Sequence, residues 1–458
     1  MKVTLEFVIR DEEGNILSKN TPVSMDIGTQ SLHDIEGGVE MLRQKVLPEI
    51  EVNLLTQAQN RYTEAAKKKL NLRCNGTRKV WIKTLHGKFQ FCLQKYQINK
   101  EEINYFQLSN QLQERYVSPR LEELCGHYAN CLSYENLEDL VERMTGERLL
   151  SDQTIWAIIQ AKAETYSQQI RQQAKTTLNT TNSSKIEVNP TVKIYSAEEP
   201  EILLFDDGIQ VKGQKTERVG CVESTANNQS PELGDNKTPV VLTDVAMLQT
   251  PKGEFEYLAA PLDIDGEEPL SLATVIRARI IDLYGKVAKP LNIVAITDGA
   301  KTIRLRLSSL FGDAFVLILD WYHLCKKVRN LMSMIAINKE QKSIHVRFLL
   351  SQLWFGQTNI ALNYLKHKVI AKNSLVLKEL IGYLEKHQSE IIDYDRRRRV
   401  GKCIGSGRME KGVDLVVGHR QKKKGLSWSS NGSKSLSLLK IAELNGHWNH
   451  LCFPSQPV

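Results

Sequence analysis

Hydrophobic and polar residues alternate along VTLEFVIRD at the start of the chain, and a turn follows at EEGN, so the chain opens on strands. The alternation gives way to a charged helical stretch, MLRQKVLPEIEVNLLTQAQNRYTEAAKKKL. It returns in RKVWIKTLHGKFQFCLQKYQI, where HGK marks a hairpin turn. Residues 1–115 therefore read as an α+β region. From Ser118 to about Gln173 the period is helical. Within NLEDLVERMTGERLLSDQTIWAIIQ one helix ends near Gly146, ERLL forms a short turn, and Ser151 caps a second helix whose exposed face includes Asp152, Gln153 and Thr154. The helical region over 116–175 has the outline of a helix-turn-helix, or equally of a plain antiparallel helical pair. The polar TTLNTTNSSK then opens a linker over 176–194.

A different rhythm begins at residue 195. EILLFDDGIQVKG reads as a strand, PVVLTDVAML and EFEYLAAPL as a hairpin turning at TPKG, and LATVIRARIIDLYG as a helix. LNIVAITDG is then a strand, KTIRLRLSSLFG a helix and AFVLILDWY a strand. After His323 the pattern stays helical to about Tyr394, through HLCKKVRNLMSMIA, HVRFLLSQLWFG, QTNIALNYLKHKVI and LVLKELIGYLEKHQ. GSGRMEKGVDLVVGHR reads as one more helix, with Ser406 as its cap and Glu410 and Asp414 on one face. Val413, Val416 and Val417 are placed to pack it on the sheet.

Three antiparallel strands followed by helix, strand, helix and strand is the order of the ribonuclease H-like fold. The expected class is therefore α/β: a ribonuclease H-like core over 195–324, an all-helical insertion over 325–400, and a final core helix with a basic C-terminal segment over 401–458. In this arrangement the first and fourth strands are parallel neighbours, which brings Asp207 beside Asp298.

With 458 residues the chain has room for two to four domains of roughly 100 to 200 residues. Its 41% hydrophobic and 25% charged content argues against wholesale disorder. The net charge of +8 is clustered, with Arg396, Arg397, Arg398, Arg399, Lys402 and Arg408 in one stretch and Arg420, Lys422, Lys423 and Lys424 in the next. Clustered cations suit a polyanion. The eight cysteines form no CxxC pair, which fits a reducing compartment, and Cys74, His86 and Cys92 match no zinc spacing. KVTLEFVIRDEEGN lacks the apolar core of a signal peptide, and no uncharged apolar run approaches the roughly 18 residues of a membrane span. The expected location is cytoplasmic, on the nucleoid in a prokaryote.

Three carboxylates carry the candidate chemistry: Asp207 in the first core strand, Asp298 after the fourth, and Glu410 in the late helix. Brought together, they form a cage for divalent cations; two such ions roughly 3.5 to 4 Å apart activate the attacking oxygen and stabilise the leaving one in phosphodiester chemistry. Asp206 competes for the first position. Adjacent strand residues point to opposite faces, so only one of the two joins the cage. Asp207 is preferred because it shares with Asp298 an aspartate-glycine setting. Asp320 and His323 flank the same edge as supporting residues, with the histidine serving either as a proton shuttle or DNA contact, or as a buried partner of Asp320. The arginine run just before Glu410 suggests a phosphate-gripping track, and Trp428 anchors its segment or stacks on a base.

The segments FDDGIQVKG, ITDGAKTIRLRLSSLFGDA, LDWYHLCKKV and IGSGRMEKGVDLVVGHRQKKKGLSWS resemble those of DDE-type insertion-sequence transposases of the broad Mutator-like class, particularly the Kra-type subgroup. Their order and spacing cover most of residues 195–450. In that class the second aspartate is followed by a D(2)H or C(2)H motif, matched here by Asp320 and His323. A helical insertion then precedes the glutamate. The resemblance implies that Asp207, Asp298 and Glu410 bind the metal, with two Mg²⁺ ions expected and Mn²⁺ as a substitute. It further implies nicking at element ends and attack of the freed 3′ hydroxyl on target DNA. Some relatives carry paired cysteines suggestive of a zinc ribbon, whereas Cys74 and Cys92 stand alone here. The expected partners are terminal-repeat and target DNA and other copies of the chain, with no membrane. Arg396, Arg397, Arg398, Arg399, Arg408, Arg420, Lys422, Lys423, Lys424, Gln153 and Thr154 are the expected DNA contacts. Two other readings are a catalytically inactive, transposase-derived DNA-binding protein and a ribonuclease H-like structure-selective nuclease.

Overall fold

A computed structural model of the chain describes residues 1–70, 72–98, 101–109, 112, 115–180, 186–215, 239–285, 290–312 and 315–453. The chain divides into two compact units, one built from Met1–Lys162 with the segment from Asn449, the other from Ala163–Trp448.

The first unit opens on short strands, with β1 (Lys2–Leu5) paired to β4 (Val23–Asp26) and β2 (Val8–Arg10) to β3 (Ile16–Lys19). A long helix, α1 (Leu32–Leu70), follows. Then β5 (Arg73–Thr84) and β6 (Gly87–Ile98) form the expected hairpin, with β7 (Glu101–Asn104) added beside β6 and a short α2 (Tyr105–Ser109) after it. The period of two sorts their side chains: Val80, Ile82, Phe89, Phe91 and Leu93 are buried, while Trp81 is exposed. α3 (Pro119–Tyr128) and α4 (Tyr134–Thr145) are capped by the hydroxyls of Ser118 and Ser133, and Gly146 closes α4 in the left-handed region at φ 76°. The next helix, α5 (Asp152–Thr180), starts at the expected cap, where the Thr154 N–H donates to the Ser151 hydroxyl at 3.2 Å.

The linker is the first correction. Residues 176–180 complete α5 instead of leaving it, and 181–185 lie outside the described residues. The helix is held just before TTLNT, where Ala174 is buried, Lys175 pairs with Glu267 at 3.1 Å and Gln173 donates to Asp282 at 3.2 Å, and it runs on through that weak helix former, with the Thr180 hydroxyl donating to the Thr176 carbonyl at 2.7 Å. Farther on, the Asn189 N–H donates to the Leu291 carbonyl at 2.9 Å and Val188 is buried, so this part of the segment is packed on the core.

The second unit holds a five-stranded sheet of β8 (Ile202–Lys212), β9 (Val240–Gln249), β10 (Phe255–Leu258), β11 (Ile293–Thr297) and β12 (Val316–Leu319), in the order β10-β9-β8-β11-β12. β9 runs antiparallel to both of its neighbours, and β8, β11 and β12 run parallel to one another. The first and fourth core strands are thus parallel neighbours. α6 (Leu272–Tyr284) and α7 (Lys301–Phe311) cover one face, where Leu204, Ile276, Ile280, Ala295, Ile303 and Leu307 form a common core.

After β12 the chain is helical, through α8 (Trp321–Ile335), α9 (Lys339–Trp354), α10 (Thr358–His367), α11 (Ser374–Lys386) and the short α12 (Tyr394–Arg399). α13 (Gly407–Val413) follows, continued by a π-helical turn over Asp414–Gly418 and by α14 (His419–Gln421). The expected core residues Val413, Val416 and Val417 are buried, and α13 lies against β8 and β9. Two further helices, α15 (Ser430–Leu444) and α16 (Trp448–Cys452), were not expected from the sequence. Serines conceal the buried side of α15: Ser433, Ser435 and Ser437 are buried, and the Ser433 hydroxyl donates to Gln421 at 2.6 Å. The described cysteines are free thiols, and Cys221 lies outside the described residues. No helix among the described residues is long and apolar enough to cross a membrane.

Candidate active site

Strand register sets the site. Ile296 pairs with Phe205 and Thr297 with Leu319, so continuing both parallel ladders past their last pairs brings Asp207, Asp298 and Asp320 abreast at one end of the sheet. Alternation along β8 then separates the two adjacent aspartates. Asp206 shares the face of Leu204 and meets α7, where both of its oxygens accept from Arg306 Nη1 at 2.6 and 2.8 Å. Arg306 also pairs with Asp244 through Nη2. Asp207 shares the face of Phe205, whose ring lies 5.7 Å from that of Phe255, itself covered by the Arg408 guanidinium at 4.6 Å. α13 is therefore on the side of Asp207, and Asp206 is the buried structural partner of Arg306.

Asp298 follows β11 directly, and its Oδ1 accepts the Ala300 N–H at 2.8 Å in a tight turn. Gly299 makes that turn with φ +84°, and a Cβ there would lie 2.7 Å from His387 Cε1 and 2.9 Å from Leu319 Cδ1. His387 is itself buried, 2.7 Å from a Glu390 oxygen and 3.1 Å from Arg304 Nη2. Glycine is required here on two counts, the backbone conformation and the close approach.

Asp320 caps α8 and is 1% exposed. Its Oδ1 accepts the His323 backbone N–H at 2.6 Å and the His323 Nδ1–H at 3.1 Å, while its Oδ2 accepts the backbone N–H of Ser406. Ser406 does occupy the N-cap position of α13, but its side chain makes no capping bond; its contribution is the main-chain link to Asp320. That link ties the start of α13 to the sheet edge. Glu410 lies on the next turn, with Oε1 3.5 Å from His323 Nε2.

These groups feel one another. Burial raises the Asp207 carboxyl above its ordinary value, and the nearby charges of Asp298 and Glu410 raise it further, against the opposing pull of the Gly208 N–H and His323. For Asp320, burial acts upward, but the bonds from His323 and Ser406 outweigh it and leave the carboxyl below its ordinary range. His323 is raised, first by its hydrogen bond to Asp320 and then by the charges of Asp320, Glu410 and Asp298. Burial pushes Asp206 up to about 7 in spite of Arg306.

Could this set hold a metal? Among the described residues no group of three or more His, Cys, Asp or Glu side chains is arranged to grip an ion. The donor chemistry nonetheless fits a hard cation: the groups are carboxylate oxygens, Asp207 has the like charges of Asp298 and Glu410 beside it, and Glu410, with 42% of its side chain exposed, has room to change rotamer.

The basic residues do not form one track. Arg397 is fully buried, paired through both guanidinium nitrogens with Glu201 and donating to the Cys403 carbonyl at 2.7 Å. Arg420 is 5% exposed, under Trp428 at 4.8 Å from the ring. Neither is presented at the surface, so the expectation of a phosphate contact fails for both. Arg396, Arg398, Arg399, Arg408, Lys422, Lys423 and Lys424 are exposed, with Arg396 over Tyr195 at 4.8 Å and Arg399 paired to Asp395 at 2.7 Å. Trp428 is buried and donates from Nε1 to the Gln421 carbonyl at 3.0 Å, which makes it an anchor. Gln153 is exposed and Thr154 half-buried at the start of α5.

Arg306, Arg304 and His387 escaped the sequence reading. For Arg306 a signal existed: it stands among Ile303, Leu307 and Leu310 on the inner side of an amphipathic helix, a place where a cation needs a buried anion. No protein-family model matches this chain, and no curated protein matches it.

Proposed function

We propose that the chain is a DNA transposase that binds the ends of its element and cuts and joins strands through Asp207, Asp298 and Glu410. The register that aligns Asp207 and Asp298 across two parallel strands carries this reading, because it brings two far-separated carboxylates to one sheet end. The strand order, with β9 antiparallel and three parallel strands beside it, supports a ribonuclease H-like core. Asp207, Asp298 and Glu410 are the groups that would hold Mg²⁺ or Mn²⁺, which when bound supply Lewis acidity to the attacking and leaving oxygens. Asp320 is a positioning residue: it fixes the His323 ring through Nδ1 and anchors α13, and with it Glu410, through Ser406. The raised His323 keeps a proton at Nε2 facing the carboxylate cluster, where it steadies a phosphate oxygen or protonates a leaving one. Exposed Arg396, Arg398, Arg399, Arg408 and Lys422–Lys424 supply backbone contacts to terminal-repeat and target DNA, and Gln153 and Thr154 on α5 reach the groove. Two ends cut and joined together call for a homo-oligomer.

The test is an assay with purified protein, Mg²⁺, labelled DNA from the boundaries of the element and a target plasmid. Labelled ends joined to the plasmid support transposition. Cleavage without joining favours a structure-selective nuclease, and tight binding without any metal-dependent cleavage favours a DNA-binding protein.

A further inference from the structure

Along α8, His323, Lys326, Lys327 and Asn330 recur at the spacing of one helix face, while Leu324, Cys325, Val328, Leu331 and Met332 on the other side are buried. Along α11, Tyr383 and Lys386 stand one turn apart, with Leu380 and Leu384 buried. The two polar stripes and the turn after Asp298 line a single cleft of about 370 Å³. Lys327 is held by Glu379 at 2.8 Å. Lys326 and Lys386 have no carboxylate partner among the described residues, and both are exposed at the cleft.

The insertion thus sets two cations without carboxylate partners beside an acidic site, Lys326 over the Tyr322 ring at 6.0 Å, an arrangement that suits an anion running past the carboxylates rather than onto them. The cleft's volume is near the lower end of the roughly 300 to 1,000 Å³ of ligand pockets, room for one nucleotide with its phosphates and too little for a duplex. The half-buried Tyr383 ring borders the cleft, with the Lys327 ammonium 5.8 Å from its centroid and the His387 ring 4.7 Å away. We infer that this cleft binds the backbone of an unpaired DNA strand beside Asp298, with Lys326 and Lys386 on its phosphates and Asn330 and Tyr383 against the nucleoside. This rests on reading the carboxylates as a DNA-cutting site, and it assigns the helical insertion a part in gripping the substrate strand.

The experiment compares two DNA probes of one sequence in the presence of chelator, a blunt duplex and the same duplex with an unpaired 3′ tail. Wild type is expected to bind the tailed probe more tightly. The Lys326→Gln, Lys386→Gln double variant should lose that added affinity and flatten the log–log salt dependence on the tailed probe by about 1.4, at about 0.7 per single-strand phosphate contact. Blunt-duplex affinity should not change. The corresponding Lys→Arg double variant should keep both the affinity and the slope, and Lys339→Gln, outside the cleft, should behave as wild type on both probes. A double Gln variant that retains the tail's affinity and slope, or a wild type indifferent to the tail, overturns the inference and leaves the cutting reading intact. A wild type that binds neither probe overturns both.

Discussion

The His323 imidazole donates from Nδ1 to the Asp320 carboxylate at 3.1 Å while its Nε2 faces Glu410 at 3.5 Å, so one ring joins the anchor of α8 to the carboxylate on α13. In the metal-free protein His323 should therefore titrate above its ordinary value of 6.5. Because the folded state binds this proton more tightly, the stabilisation is fully present below the unfolded value and lost as pH rises through the folded one. Imidazole NMR is the measurement. Asp320→Asn should move the titration downward, and so should added Mg²⁺, whose charge opposes that of the imidazolium. A His323 titration unmoved by Asp320→Asn would contradict the pairing.

The two adjacent aspartates should fail differently. Asp206→Asn removes one of the two oxygens that accept from Arg306 Nη1 while Asp244 stays paired with Nη2, and should lower thermal stability by about 1–3 kcal/mol, with nicking retained in the folded fraction. Asp207→Asn should keep the fold and lower nicking by about a hundredfold or more, since it removes charge at the reacting centre. Parallel melting curves and nicking rates separate the two, and the reverse assignment would show the opposite pattern.

Gly299→Ala should cost more than Gly253→Ala, although both glycines have a positive φ, +84° and +83°. At Gly253 nothing lies within 4 Å of the added methyl, so only the backbone conformation is penalised, by about 1–2 kcal/mol. At Gly299 the methyl also meets His387 and Leu319, and the turn carrying Asp298 must shift. Denaturant unfolding gives the two costs, and equal values would mean that His387 yields freely.

Within the arginine run, Arg397→Ala should destabilise the protein by about 1–3 kcal/mol, because it removes the hydrogen bonds of a fully buried guanidinium and leaves Glu201 paired with Lys402 alone. Arg398→Ala should leave stability within about 0.5 kcal/mol and weaken DNA binding in a salt-dependent way. Chemical denaturation and binding isotherms on the two variants provide the check.

Much of the core is legible in the chain because its strands are short, strongly apolar and separated by turn residues, as in LNIVAITDG. The side on which each aspartate of β8 falls is not. It depends on Arg306, 100 positions from Asp206, and on α13, and no local pattern records either contact. Arg397 reads as one of four surface arginines until Glu201, 196 positions away, is seen to bury it. The helical end of α5 was hidden in an exposed, threonine-rich run that continues a helix packed farther back, and α15 behind serines that tertiary packing buries. The elements that carry the three acidic residues were readable, with Asp207 inside a strand pattern, Asp298 just after one and Glu410 inside a helix pattern, whereas the polar stripes of α8 and α11 meet only in the folded chain.

The most direct test of the central claim is the nicking of element-end DNA by wild type and by Asp298→Asn, with Mg²⁺ and without it. Wild type should cut only with the ion, and Asp298→Asn should bind the DNA with wild-type affinity yet leave it uncut. Undiminished nicking by Asp298→Asn would contradict the assignment of the carboxylate site.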